Sequence, residues 1–305
     1  MRRKKIIIAT RQSPLALWQS RFIAQQLQCF DSRLMIQLAP IATQGDRDLH
    51  LPLDQATQRG LFVAALEQEL LAQRADMAVH SVKDLPIAEL PGLTFSTFGG
   101  REVAQEALIS HQGSPLEALP PQARVGTSSR LRQQQLAYHR PDLTLKALRG
   151  NVTSRLQQWL QGDYDALILA VAGLKRLGLQ RYISAYLSLD TWLPAPGQGA
   201  LAVQYRTEDH EIQALVAHFT ELETEACVTA ERAVLRRCST EGLAVGAYAH
   251  PQGAGLQLHA VVIAAHGERY TGSLSGPWAL AGSIGGQLAE TLLAQGCIAR
   301  LATAY

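Results

Sequence analysis

The chain has 305 residues, 47% of them apolar and 18% charged, a globular balance that excludes a disordered protein and a length that suggests two or three domains. Twenty-eight Lys and Arg against 26 Asp and Glu leave a net charge of +2, so no global field points to nucleic acid or to a membrane surface. The four cysteines, Cys29, Cys227, Cys238 and Cys297, are scattered without metal-ligand spacing, which argues against a disulfide framework or a metal centre and for a reducing, cytoplasmic setting.

Lys5–Ala9 reads as a buried strand, and Ser13-Pro14 opens a helix with Ser13 as N-cap. The apolar stretch after the basic start MRRKK is too short for a signal peptide. Leu15, Trp18, Phe22 and Ile23 recur at helical spacing and are expected to form the buried face of the helix. Met35–Ile41 is a second strand, Leu61–Leu71 an amphipathic helix and Met77–His80 a short strand. Beyond Phe98 the register changes. Ala107–Ser110 and Ala123–Gly126 read as strands, Thr127-Ser128-Ser129 caps a helix running to His139, and Leu143–Leu148 is a strand. Arg149-Gly150-Asn151 turns into a helix that stops at Gly162, in the place of a C′ glycine. Asp165–Val171 carries an unbroken apolar run, as expected at the centre of a sheet covered on both faces. The longest apolar run, Ala166–Leu174, is far short of the ~20 residues that a membrane span needs. LPAPGQGALAV is read as a loop. Glu208–Phe219 and Glu221–Arg237 follow as amphipathic helices, Leu256–Ala264 and Glu268–Leu274 as a hairpin around His266-Gly267, and Ala279–Gln295 as a last helix ended by Gly296.

The two halves share a plan of strand, short Thr/Ser loop carrying Arg, and helix, in IIIATRQSPLALW and RVGTSSRLRQQQL. Two such α/β lobes would face each other across a cleft, where ligands meet the carboxyl ends of strands and the N-termini of helices. The segment after the loop LPAPGQGALAV predicts a small, separate α+β domain.

Arg11, Arg132, Arg149 and Arg155 fall in or just after strand-to-helix loops, with Ser13, Ser128 and Ser129 beside them. One such Arg alone is most simply a solvated surface residue. Four at the same structural place point to a ligand with several carboxylates or phosphates. Lys83 and Asp84 directly follow a strand. A carboxylate at the mouth of an anion-binding cleft could hold a positive substrate group or shuttle a proton, or could cap the turn before Pro86. His80, Trp159 and Trp192 read as packing residues. The glycines of LPAPGQGAL fit a tight loop or hinge and match neither a P-loop nor a dinucleotide fingerprint.

Taken together, ATRQSPLALWQ, GLFV, ADMAVHSVKDLP, VGTSS, LRGNV, YDALILAVAGLKRLG and LPAPGQGAL resemble the porphobilinogen deaminase (hydroxymethylbilane synthase) family, in order over about two-thirds of the chain. The resemblance implies two periplasmic-binding-protein-like (type II) α/β lobes with a cleft, plus a small C-terminal α+β domain. The expected boundaries are 1–99 with 200–217, 100–199, and 218–305. It implies a cytoplasmic, monomeric transferase of porphyrin (tetrapyrrole) biosynthesis, without nucleic-acid or membrane partners. Such enzymes deaminate porphobilinogen and condense the pyrroles head to tail into hydroxymethylbilane, on a dipyrromethane cofactor held by a cysteine of the third domain. Asp84 matches the catalytic aspartate, with Lys83 beside it. By the same matching, cofactor and substrate carboxylates would be held by Arg11, Ser13, Ser129, Arg132, Arg149, Arg155 and Arg176. Ser81, Thr127, Ser128, Gly150, Asn151 and Gln198 belong to the same motifs, and Gln19 and Phe62 would line the site.

Departures from the family pattern fall at functional places. ERAVLRRCSTEGLAVGAYAH lacks the family's Gly-Gly-Cys loop: Glu241 or Gly242 stands where the Cys is expected, and Cys238, the candidate for covalent attachment, lies three or four positions too early. Attachment at Cys238 requires a rearranged loop. Leu131 replaces a cofactor-binding Arg, with Arg130 beside it. Val103-Ala104-Gln105-Glu106, Arg59, Ala64-Ala65 and Gln204 also replace family residues, several of them charged. Three readings follow: a deaminase with its cofactor on Cys238, a divergent paralogue that makes a shorter free oligopyrrole such as a dipyrrole without a covalent primer, and a non-catalytic binding protein for a pyrrole carboxylate.

Overall fold

A computed structural model describes residues 5–43, 63–239 and 242–297; Phe62, Arg59 and Glu241, named above, lie outside them. The first sheet comprises β1 (Lys5–Arg11), β2 (Met35–Ile41), β3 (Met77–Ser81), β4 (Leu93–Thr97) and β10 (Leu201–Arg206) in the order β2-β1-β3-β10-β4. β1 runs parallel to β2 and β3, and β10 antiparallel to β3 and β4. The second sheet comprises β5 (Glu106–Ser110), β6 (Arg124–Gly126), β7 (Thr144–Lys146), β8 (Ala166–Ala170) and β9 (Ala185–Tyr186) in the order β7-β6-β8-β5-β9. Here β6 pairs in parallel with β7 and β8, while β5 runs antiparallel to β8.

Each sheet is thus a parallel trio extended by a strand that arrives after a crossing between lobes. β5 is the first strand of the second sheet, and β10 returns into the first sheet, antiparallel between β3 and β4. This exchange is the type II periplasmic-binding-protein arrangement, and it leaves a cleft where the trios' carboxyl ends face each other. The apolar run of β8 sits centrally as its composition demands, with Ala166, Leu167 and Ile168 fully buried.

The helix α1 (Pro14–Phe30) starts where expected: Ser13 is extended and its Oγ accepts the Ala16 N–H at 3.3 Å. Its buried stripe differs from the expected one. Ala16, Gln19, Ser20, Ile23 and Leu27 point inward, whereas Trp18 is 36% exposed and stacks on Phe22 at the helix flank. Polar residues occupy the stripe because its N-terminal part faces the cleft: Gln19 donates to Ser81 Oγ at 2.9 Å. The remaining helices of the lobes are α2 (Ala64–Leu71), α3 (Arg130–His139), α4 (Val152–Leu160), α5 (Val171–Arg176) and α6 (His210–Ala217). The expected strand Leu143–Leu148 is shorter, and β4, β9 and β10 are strands where the sequence pattern predicts none, with β10 beginning inside the expected loop LPAPGQGALAV. Among the described residues no helix is long and apolar enough to cross a membrane.

The third unit packs α7 (Leu222–Cys238) and α8 (Ala281–Leu292) on the antiparallel sheet β11 (Ala244–Gln252), β12 (Gly255–Ile263), β13 (Arg269–Pro277). Its core includes Ala230, Val234, Cys238, Leu258, Ala260 and Leu288. β11 was unanticipated, and the last helix gives way to a wider turn, Leu293–Cys297, that runs through Gly296. Two lobe-crossing glycines are dictated by geometry. Gly197 and Gly199 have φ of +77° and +91°, and a Cβ on Gly199 would lie 2.2 Å from the Glu102 carbonyl oxygen.

Candidate functional site

Two small adjoining chambers line the cleft, the first walled by the first lobe and the second by residues of both lobes. The first is lined by Arg11, Ser13, Gln19, His80, Ser81 and Asp84. The second is lined by Lys83, Arg132, Arg155, Arg176, Gln198 and Gly199, and Leu15 and Ser81 border both. Asp84 ends a single helical turn, Val82–Asp84, that follows β3 directly, so the strand fixes it at the cleft mouth. Arg11 ends β1 beside it, and Arg149 and Arg155 flank the turn into α4 on the opposite lobe.

The cations are close enough to feel one another. Arg155 is lowered to about 10, first by burial and then by the charge of Arg132, with Arg149 and Arg11 adding to the shift and Asp84 opposing it. Burial and Arg132 also lower Lys83, against Asp84 and Glu106. Arg176 is lowered to about 10 by burial, with Glu102 opposing. Arg155 and Arg176 remain charged at neutral pH, so the cleft gathers positive charge around the exposed carboxylate of Asp84. An anionic ligand would relieve that repulsion.

The predicted residues divide by what their polar atoms touch. Lys83 Nζ donates to Gln198 Oε1 at 3.0 Å, and Gln198 Nε2 donates to the Ala104 carbonyl at 2.7 Å. Arg155 Nε holds the Gly150 carbonyl at 2.8 Å, with Gly150 at φ +94°, and Arg176 holds the Gly199 carbonyl at 2.7 Å. Arg132 is engaged internally: it forks onto Glu106 at 2.9 and 2.8 Å and donates to the Ile168 carbonyl. The Ser128 hydroxyl bonds both backbone groups of Leu148. Ser129 caps α3, and Asn151 caps α4 by accepting the Ser154 N–H at 3.0 Å. Thr127 is buried, its Oγ1 accepting the Ser129 N–H. These contacts aim loops and helix N-termini at the cleft, which a serine does as well by capping as by touching a ligand.

Cys238 does not face the cleft. It is fully buried in the apolar core of the third unit at the end of α7. Leu131 is buried among Leu193, Ala244, Val261 and Ile263, and Arg130 donates to the Gly242 carbonyl at 2.8 Å. Trp159 and Trp192 are buried, as their packing assignment requires.

Two groups escaped the sequence reading. Glu231, fully buried on α7, accepts from Arg101 at 2.5 and 3.1 Å, from Gly197 N–H at 2.6 Å and from Ala249 N–H at 2.7 Å. It ties the third unit to the lobe-crossing loop next to Gln198. The signal was an acid within an otherwise apolar helix face. Glu106, the partner of Arg132, gave a similar one at the head of the apolar strand β5.

His80 is packed beneath the first chamber, 5% exposed, and is lowered to about 4 by burial, with Arg11 adding to the shift and a hydrogen bond with Gln204 opposing it. A folded-state value below the unfolded ~6.5 makes its contribution complete above pH 6.5 and lost as pH falls from there towards 4, by about 3 kcal/mol. Urea unfolding from pH 7 to 4 should show this extra acid destabilisation in the wild type and not in His80→Gln. Equal pH slopes in the two proteins would refute it.

The family model described as "Porphobilinogen deaminase, dipyromethane cofactor binding domain" matches residues 6–214. Among solved structures, the chain is similar to the periplasmic domain of BvgS from B. pertussis, at 16% identity and TM-score 0.42, over 70% of this chain and 39% of that one. It is similar to YhfZ from Shigella flexneri at 18% identity and TM-score 0.38, over 79% of this chain and 94% of that one. The periplasmic aliphatic sulphonate binding protein SsuA from Escherichia coli has 13% identity and TM-score 0.42, over 77% of this chain and 70% of that one.

Proposed function

The chain belongs to the porphobilinogen deaminase family, and on that premise we propose that it is a transferase that deaminates porphobilinogen and joins the pyrroles head to tail into a linear oligopyrrole, hydroxymethylbilane being the four-ring member of that series. What supports the reading is the meeting of Asp84 with Arg11, Lys83, Arg149 and Arg155 from two lobes, near enough for their charges to couple. Porphobilinogen carries an acetate, a propionate and an aminomethyl group. The guanidinium forks suit the carboxylates, and Asp84 suits the cationic arm.

The chemistry needs three services. The aminomethyl group leaves as ammonia, the resulting azafulvene cation needs a nearby negative charge, and the attacking pyrrole must lose its α-proton. A single carboxylate within a cationic ring serves all three, because it opposes charge only where charge develops. Arg132, held on Glu106, and Lys83, held on Gln198, position their charges without a search among rotamers. The domain division 1–99 with 200–217, 100–199, and 218–305 is part of this proposal, as are a monomeric state and a cytoplasmic location.

The test is incubation of the purified protein with porphobilinogen, followed by assays for ammonia and for pyrrole products. Both should accumulate. Binding of porphobilinogen without either would identify a non-catalytic binding protein instead.

A further inference from the structure

A pyrrole primer anchored through a thioether needs a thiol that reaches the cleft and ionises there. The chain has four cysteines and none between Cys238 and Cys297. Cys238 has no exposed surface and packs among Val234, Val245 and Leu258 in the third unit's core. Cys227 is 3% exposed, and burial, with the charge of Glu231, pushes its thiol up to about 12. Its thiolate fraction at neutral pH is then on the order of 10⁻⁵. Cys29 is exposed but lies 15 residues beyond Pro14, where α1 meets the cleft; at 1.5 Å per residue it is about 22 Å away along the helix. Cys297 closes the turn after α8, a helix that packs on α7, β12 and β13.

The surroundings of the missing tether agree. The face of α3 that would need a cation for a cofactor carboxylate carries Leu131, sealed against Ala244, Val261 and Ile263 of the third sheet. Arg130, its neighbour, is drawn outward to the Gly242 carbonyl. Burying a carboxylate against that apolar seam would strip its hydration without supplying a partner. The residues present therefore do not fit a covalently held dipyrromethane, whereas the charged cleft remains, with Arg11 and Asp84 in one chamber and Lys83, Arg132, Arg155 and Arg176 in the other.

We infer that this chain condenses two untethered porphobilinogen molecules, donor and acceptor meeting in the cleft beside Asp84 and Lys83 and held there by its charged groups with no covalent bond to the protein, and releases a free dipyrrole. This rests on the deaminase reading above. The donor's C–N bond breaks and its electron pair leaves with ammonia. The acceptor's free α-carbon bonds to the donor's cationic methylene, and the acceptor's α-proton passes by way of Asp84 to solvent. Two porphobilinogens give one ammonium and one dipyrrole that retains the acceptor's aminomethyl arm.

The experiment is denaturing intact-mass spectrometry of the full chain, purified from cells that make porphobilinogen and again after turnover with added porphobilinogen, together with mass analysis of the soluble products and a porphobilinogen titration. The inference expects the unmodified sequence mass in both samples, saturable binding, and a free two-ring product. A mass increment of pyrrole units on the denatured chain, located on a cysteine peptide, overturns it and leaves the deaminase reading standing. A linear tetrapyrrole as the sole product also overturns it. Absence of porphobilinogen binding overturns the deaminase reading and the inference together.

Discussion

Asp84→Asn lowers porphobilinogen turnover by roughly 10²–10⁴, the range for a positioned group that handles protons, and leaves porphobilinogen binding nearly unchanged. The amide keeps the carboxylate's shape, so the turn Val82–Asp84 and the strand before it need not move. What is lost is a negative charge facing the departing ammonia and an acceptor for the pyrrole α-proton. Most of the binding is carried by Arg11, Arg149 and Arg155, which hold the two carboxylates whether or not Asp84 faces the cationic arm. The expected pattern is thus a collapse of kcat with KM held, the mark of an interaction made in the transition state. A loss of less than tenfold in kcat, or a loss confined to KM, would move the chemistry to another residue.

Glu231→Ala should destabilise the protein by about 3–5 kcal/mol, because it strands a buried charge. Arg101, only 12% exposed, would lose its partner, and the Gly197 and Ala249 N–H groups would lose their acceptor. Each orphaned donor adds a desolvation cost of its own. Thermal denaturation should shift down by on the order of 10 °C for a chain of this size. The effect should reach the cleft as well, because Gly197 adjoins Gln198, which holds Lys83. The double variant with Arg101→Ala should be less than additive, since removing both charges leaves neither unpaired. An unchanged melting temperature in Glu231→Ala would show that the third unit is not braced in this way.

The legible parts of the fold were those with local causes. Ser13-Pro14 fixed the start of α1, Asn151 that of α4, and the apolar run of β8 its central place, each within a few residues of sequence. β10 was missed because it begins at Leu201, two residues beyond Gly199, and is buried along nearly its whole length, so no alternating pattern set it apart from the glycine-rich loop. β11 was missed because its small and turn-prone residues, with Gly246 and Pro251 among them, hide a strand whose partner is β12. In the site, Arg11, Arg132, Arg149 and Arg155 were expected at strand-to-helix loops and Asp84 directly after a strand, and those local placements hold. The engagement of Arg132 with Glu106, 26 residues away, and of Ser128 with Leu148, 20 residues away, was not readable, because hydrogen bonds between distant segments leave no local pattern. The burial of Cys238 follows from the direction of its side chain at the helix end, which the spacing of cysteines does not encode.

The whole account rests on a cationic cleft that seizes an aminomethyl pyrrole dicarboxylate and presents its amine to one carboxylate. The most direct measurement is ammonia production by the purified wild-type chain at neutral pH, with porphobilinogen as the only reagent added. Ammonia should rise as porphobilinogen disappears, with products heavier by whole pyrrole rings. A protein that takes up porphobilinogen at this cleft and returns it intact, with no ammonia formed, would contradict the account.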